Sequence, residues 1–217
     1  MTPPVKPAHR YPRRRERALA TRRRVLASAR DRFLERGYVG TTIEAIAAGA
    51  DVSPETVYAT FGNKRTLLSE VVDVAIAGDV DAAPIMDQDW VDSMRQAPDP
   101  HARLAIMARS GRAILERRAA IDDVVAAAAA SDPEIAALRD RGKADRLAGQ
   151  RALLRIAVGS SALRTGLDLG MAADIVYAIG SPETYRLLVV DRGWSAAQFE
   201  HWYADTLERL LFGRHGA

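Results

Sequence analysis

Residues 41–61 read TTIEAIAAGADVSPETVYATF, and this stretch holds the residues best spaced for chemistry. Thr41, Thr42 and Ser53 stand where helices would begin. There a side-chain hydroxyl and the unpaired N–H groups of a first turn suit a phosphate oxygen. Thr41 and Glu44 have the spacing of a reciprocal capping box. Pro54 follows Ser53 at a first helical position, where a missing N–H costs nothing. The helix so started presents Glu55, Thr56, Tyr58, Ala59 and Thr60 outward. Thr56, Ala59 and Thr60 suit thymine methyls, and Glu55 suits a cytosine amine. The chemistry on offer is recognition of a polyanion, not bond making.

No other constellation competes. The chain has no cysteine, so disulfides, thiolate nucleophiles and Cys-rich zinc sites are excluded. His9, His101, His201 and His215 are scattered, with no His-Glu-x-x-His. A phosphate-cradling Gly-Lys-Ser/Thr loop, a dinucleotide fingerprint and a nucleophile elbow are all missing. We therefore expect no enzyme, cofactor or metal site. The aspartates of 78–98 lack the glycine-centred calcium loop, and Pro84 interrupts them. Two other classes stay open. An activator or architectural DNA binder would answer to no small molecule. A helical interaction module would bind normally without its basic arm or Lys64.

Charge is unevenly spread. Residues 1–24 carry nine basic residues and one acid, whereas the whole chain has a net charge of only +3. A basic arm on an acidic body fits a protein that meets DNA with one end. Residues 1–17 offer too few large apolar residues for a membrane-facing helix. Arg13, Arg14 and Arg15 suit an adjacent minor groove, or a nonspecific hold on phosphates. No apolar run nears the roughly 18 residues of a membrane span, and the N-terminus lacks a secretory apolar core. A cytoplasmic protein is expected.

Apolar residues make up 48% of the 217, enough for a core without staples. Their spacing is helical nearly throughout, which predicts an all-α protein. After the proline-rich arm, a first helix is expected over about 17–36, with Gly37 as its C-cap. Helices over about 42–50 and 53–61 follow, then one capped by Asn63 and running to about 77. Ile43, Ile46 and Ala47 would face Val52, Val57 and Phe61, with Ala47, Ala48 and Ala50 permitting a close crossing. Residues 78–98 read as a solvated acidic linker. Beyond it lie helices at about 99–119, 121–131, 133–159, 172–191 with a kink or restart at Pro182, and 195–212.

The stretch GYVGTTIEAIAAGADVSPETVYATFGNKRTLL, residues 37–68, resembles the tetracycline-repressor (TetR) family. Asp51 stands where the family usually has glycine, and aspartate tolerates a left-handed backbone better than most residues. The prolines and charges predict a basic flexible arm at 1–16, and the resemblance implies a DNA-binding domain at 17–77 with its helix-turn-helix at 42–61, and a ligand-binding and dimerisation domain at 78–217. It implies that Tyr58 and Lys64 hold phosphates while Pro54, Glu55, Thr56, Ala59 and Thr60 choose sequence. It also implies a homodimer on a palindromic operator, released by a small-molecule inducer. Interface candidates are Ile175, Ile179, Leu188, Phe199, Trp202, Tyr203, Thr206 and Leu210. Pocket candidates are Trp90, Met94, Met107, Gly111, Ile114 and Tyr177.

Overall fold

The computed structural model describes residues 10–213, with side chains from Arg14 onward, and contains no strand among them. Helix α1 (Arg10–Gly40) is interrupted at Gly37, whose φ of 69° ends the regular helix after Arg36 as expected. Its start at Arg10 lies well before the expected Arg17, so the arm is helical through residues 10–16. Pro12 falls in the first turn, where its missing N–H is harmless, and the following arginines favour helix.

Helices α2 (Ile43–Gly49), α3 (Pro54–Phe61) and α4 (Lys64–Ala77) have the expected bounds. Ser53 and Asn63 accept from the backbone N–H groups of Thr56 and Thr66 and so cap α3 and α4. Asp51, in the turn between α2 and α3, takes φ 54°, the left-handed backbone its position demands.

The segment after α4 is more ordered than its composition suggests. A 3-10 turn (Ile85–Asp87) leads into α5 (Asp89–Gln96), which the linker reading missed. Val91 and Met94 of α5 are wholly buried. The Gln88 amide donates to the Ala77 and Ala83 carbonyls, both at 3.0 Å, and holds the segment against the end of α4.

A single α6 (Pro100–Ala129) replaces the two helices expected over 99–131. No glycine or proline stands near Ala119-Ala120, so nothing in the backbone stops it. Then come α7 (Pro133–Val158) and α8 (Leu169–Ile179). The chain breaks at Gly180 and restarts at α9 (Pro182–Tyr185), the restart that Pro182 foretold. A π-helical turn (Arg186–Asp191) and α10 (Ala196–Phe212) complete the fold.

Two apolar cores result. The body core joins Leu104, Met107 and Leu115 of α6 to Leu154, Val176, Phe199, Leu207 and Leu211. The head core joins Val25, Phe33, Ile46, Val57, Phe61, Leu67 and Leu68 to Ile121, Val125 and Ala128 of α6 and Ile135 of α7. Helix α6 thus serves both. Replacing Ile121, fully buried in the head core, by alanine is expected to cost about 2–5 kcal/mol. All three tryptophans (Trp90, Trp194, Trp202) lie in the body. Urea unfolding followed by tryptophan fluorescence and by circular dichroism should shift together in this variant. Separate transitions would show that α6 does not couple the cores.

Candidate nucleic-acid interface

The recognition face is built from the inside out. Val57 and Phe61 of α3 turn inward and are buried with Ile43, Ile46 and Ala47 of α2, and Val52 packs beside them. The tightest approach is made elsewhere than the alanines suggested. Gly49 lies against Ser28 of α1, leaving no room for a side chain, and Ser28 Oγ donates to the Ile46 carbonyl at 2.8 Å. With one face fixed, α3 leaves Glu55, Tyr58, Ala59 and Thr60 exposed and Pro54 and Thr56 half-buried. Tyr58 is 50% exposed although large and aromatic.

Hydrogen bonds stiffen this face. Ser53 Oγ accepts from the Thr56 N–H at 3.3 Å, and Thr60 Oγ1 donates to the Thr56 carbonyl at 2.8 Å. Backbone N–H donation at Glu55 itself, and then the Ser53 hydroxyl, hold the Glu55 carboxyl below its usual range. A negative charge therefore sits in the first turn of α3, where it can accept from a base amine.

Thr41 departs from expectation. It is 1% exposed, and its hydroxyl donates to the Arg32 and Gly37 carbonyls at 2.9 and 2.7 Å. It is neither the cap of α2 nor a phosphate ligand. It closes the end of α1. Thr42, one residue on and exposed, takes the cap by accepting from the Ala45 N–H at 3.2 Å. Lys64 Nζ donates to the Tyr38 and Thr41 carbonyls, each at 2.8 Å, and lies 4.4 Å from the centre of the Tyr38 ring. Partial burial lowers its pKa. The ammonium so tied keeps one N–H for an outside acceptor. Arg14 and Arg15 are exposed on α1, while the side chain of Arg13 lies outside the described residues.

Behind the head lies a cavity of about 650 Å3. Trp90, Met107, Gly111 and Ile114 line it as expected. Met94 does not; it is wholly buried in the body core. Tyr177 does not either, because the Arg146 guanidinium covers its ring at 3.7 Å. The sequence reading passed over Val72 and Ile76 of α4, Gln150 of α7 and Tyr203 of α10, which also line it. A signal existed in α4: its apolar residues occupy more than one face, so Leu67, Leu68 and Val71 serve the head while Val72 and Ile76 turn to the cavity.

The interface candidates divide. Phe199 and Tyr203 are 0% and 3% exposed within their own chain, which removes both from any partner's reach. Ile175, Ile179, Leu188, Trp202, Thr206 and Leu210 are half-buried. Beside them Met171, Leu187 and Val190 are 54%, 58% and 65% exposed, and sequence spacing did not single these out.

The two threonines give a direct check. Thr41→Val strips a donor from two carbonyls and should lower stability by about 1–3 kcal/mol. Thr42→Val removes an exposed cap and should cost about 1 kcal/mol. Urea midpoints without DNA measure both, and a clearly larger loss at Thr42 would contradict the placement of Thr41.

Residues 25–71 match the family model of the bacterial regulatory proteins, tetR family. The uncharacterized HTH-type transcriptional regulator YdeS of Bacillus subtilis is 28% identical over 178 residues, 82% of this chain and 83% of that one. FadR of Bacillus subtilis, solved in complex with stearoyl-CoA, shares the fold with a TM-score of 0.67 at 18% identity, over 88% of this chain and 98% of that one. NalD, the secondary repressor of the MexAB-OprM multidrug efflux pump in Pseudomonas aeruginosa, does so with a TM-score of 0.67 at 19% identity, over 90% and 98%. Residues 25–71, which include α2 and α3, are thus similar to the bacterial regulatory proteins of the tetR family, and the chain as a whole shares the fold of FadR and NalD.

Proposed function

We propose that this chain is a homodimeric repressor, not an enzyme, which holds a palindromic operator and leaves it when a small molecule fills the cavity. One observation carries the DNA reading: Glu55, Tyr58, Ala59 and Thr60 stand exposed on a helix pinned from behind by Val57 and Phe61. A rigid, preformed outer face is what a major groove requires. Tyr58, Thr42, Ser53 and the remaining N–H of Lys64 hold phosphates. Arg13, Arg14 and Arg15 add contacts beyond the groove. Glu55, Thr56, Ala59 and Thr60 meet base edges, with Pro54 setting their height.

A single reading head binds weakly, and two related by a two-fold axis read half-sites about 34–36 Å apart. The exposed Met171, Leu187 and Val190, with half-buried Ile175, Ile179, Leu188, Trp202, Thr206 and Leu210, form the apolar surface such a pair would bury. The inducer acts through α4. Ser69, Val72, Asp73 and Ile76 line the cavity, and α4 starts at Lys64, which is bonded to the end of α1. A ligand preferring one placement of α4 would change DNA affinity by a coupling of about 1–3 kcal/mol. That FadR, of the same fold, was solved with stearoyl-CoA supports a ligand in this architecture.

Selection from random DNA should enrich a palindrome, and a mobility-shift assay should then rank the variants. Tyr58→Ala and Lys64→Ala are expected to weaken binding alike on all sequences. Glu55→Ala, which removes the acceptor offered to a base amine, should relax choice at one base pair per half-site by about 1–3 kcal/mol. No enriched palindrome would refute the reading. Leu187→Arg with Val190→Arg is expected to halve the particle in sedimentation to one chain of 23.6 kDa, with the helical content kept. An unchanged dimer would place the interface elsewhere.

A further inference from the structure

One wall of the cavity is built around Tyr203. The residue is 3% exposed, and its ring is fitted between two glycines of other elements. A Cβ on Gly111 of α6 would stand 3.3 Å from Tyr203 Cε1, and any side chain at Gly180 would collide with the Tyr203 hydroxyl. That hydroxyl finds no hydrogen-bond partner among the described residues. Buried tyrosines ordinarily find one, since a hydroxyl removed from water without a partner is costly. Complete burial pushes the phenol well above its usual range, against a smaller opposing pull from Arg146, so it keeps its proton and can donate.

Gln150 of α7 stands at the same place. Its Nε2 donates to the Gly180 carbonyl at 3.4 Å, and its Oε1 is buried with no partner. Arg146 is already engaged: Nη1 donates to the Tyr177 carbonyl at 2.9 Å and the guanidinium lies over the Tyr177 ring. Gly180 therefore gathers around itself one donor and one acceptor that the protein leaves without partners. The rest of the nearby wall is apolar, with Met107, Ile114, Leu115 and Leu153.

We propose that the ligand is an uncharged amphipathic molecule whose head accepts from the Tyr203 hydroxyl and donates to Gln150 Oε1, as a primary amide, lactam or alcohol does. This rests on the reading of the cavity as the effector site. A carboxylate would meet the Gln150 oxygen with another acceptor. An ammonium would offer the Tyr203 hydroxyl nothing to donate to. The lining carries five cationic side chains and four carboxylates, a net charge of +1 that is too small to select an ion by itself. Arg118 is held by Asp122 through two bonds of 2.6 and 3.0 Å, and Arg146 shares the cavity with Asp145 and Glu183. The apolar tail runs along Met107 and Ile114 towards Trp90. The head settles on Gly180, the break between α8 and α9, so the ligand reaches the joint beside the proposed dimer face.

The test uses one tail with three heads: decanamide, decanoate and decylamine, each competing with the neutral dye Nile red for the full-length protein. Decanamide is expected to displace the dye at a concentration about fivefold or more below either ion. Tyr203→Phe, which removes one oxygen, and Gln150→Leu should each erase that preference while dye uptake and the thermal melt stay as in wild type. Equal or better displacement by decanoate or decylamine would overturn the proposal, as would a preference that survives Tyr203→Phe. Failure of Nile red to enter the wild-type protein would instead overturn the cavity reading on which the proposal stands.

Discussion

Helix α6 is the constraint from which the rest follows. Its 30 residues span about 45 Å at 1.5 Å per residue, long enough to run through both cores. Leu104, Met107 and Leu115 are buried in the body, and Ile121, Val125 and Ala128 in the head. Between the two sets sits Arg118, 9% exposed and doubly bonded to Asp122 one turn on. One residue earlier, Arg117 donates to the Ala75 and Ile76 carbonyls at 2.9 and 3.1 Å and closes the end of α4. A continuous helix cannot shear internally without losing its own hydrogen bonds, so head and body take their relative position from this rod, aided by α7, which gives Ile135 to the head and Leu153 and Leu154 to the body.

Helix α4 is held at both ends by that arrangement and by its neighbours. At its start Lys64 binds the end of α1, and Arg65 pairs with Glu134 in the first turn of α7. Along its length Arg22 of α1 pairs with Glu70. The partly buried members of these pairs are positioned to fix geometry more than to add stability, since exposed ion pairs contribute little. Helix α4 is thus the one element of the reading head that also forms a wall of the cavity.

Much of this was legible because it rests on local chemistry. Ser53, Asn63 and Ser195 cap helices whatever surrounds them, Pro54 fits only a first turn, and Asp51 reveals its left-handed backbone by replacing glycine. Gly37 and Pro182 likewise mark ends that tertiary contacts do not move. What stayed hidden depends on partners. Thr41 and Thr42 are identical in type, and only the folded α1 decides which hydroxyl is enclosed. Phe199, Tyr203 and Met94 carry the same helical period as residues facing a partner or a ligand, and period alone does not say what an apolar stripe faces. Helix α5 is short and acidic, so its two buried residues were outvoted by its charges. The unity of α6 was missed for the opposite reason: nothing breaks it, and an alanine run merely looked like a new beginning.

The shared rod bears on how such regulators can be assembled by recombination. A crossover at Gly78, after the last helix of the reading head, would seem a natural seam. It would separate Val25, Phe33 and Leu68 from Ile121, Val125, Ala128 and Ile135, which complete their packing. A foreign body would have to present the same four apolar residues at the same pitch. A head of this kind would keep its core after transfer only if the far third of α6 and the first turn of α7 travelled with it.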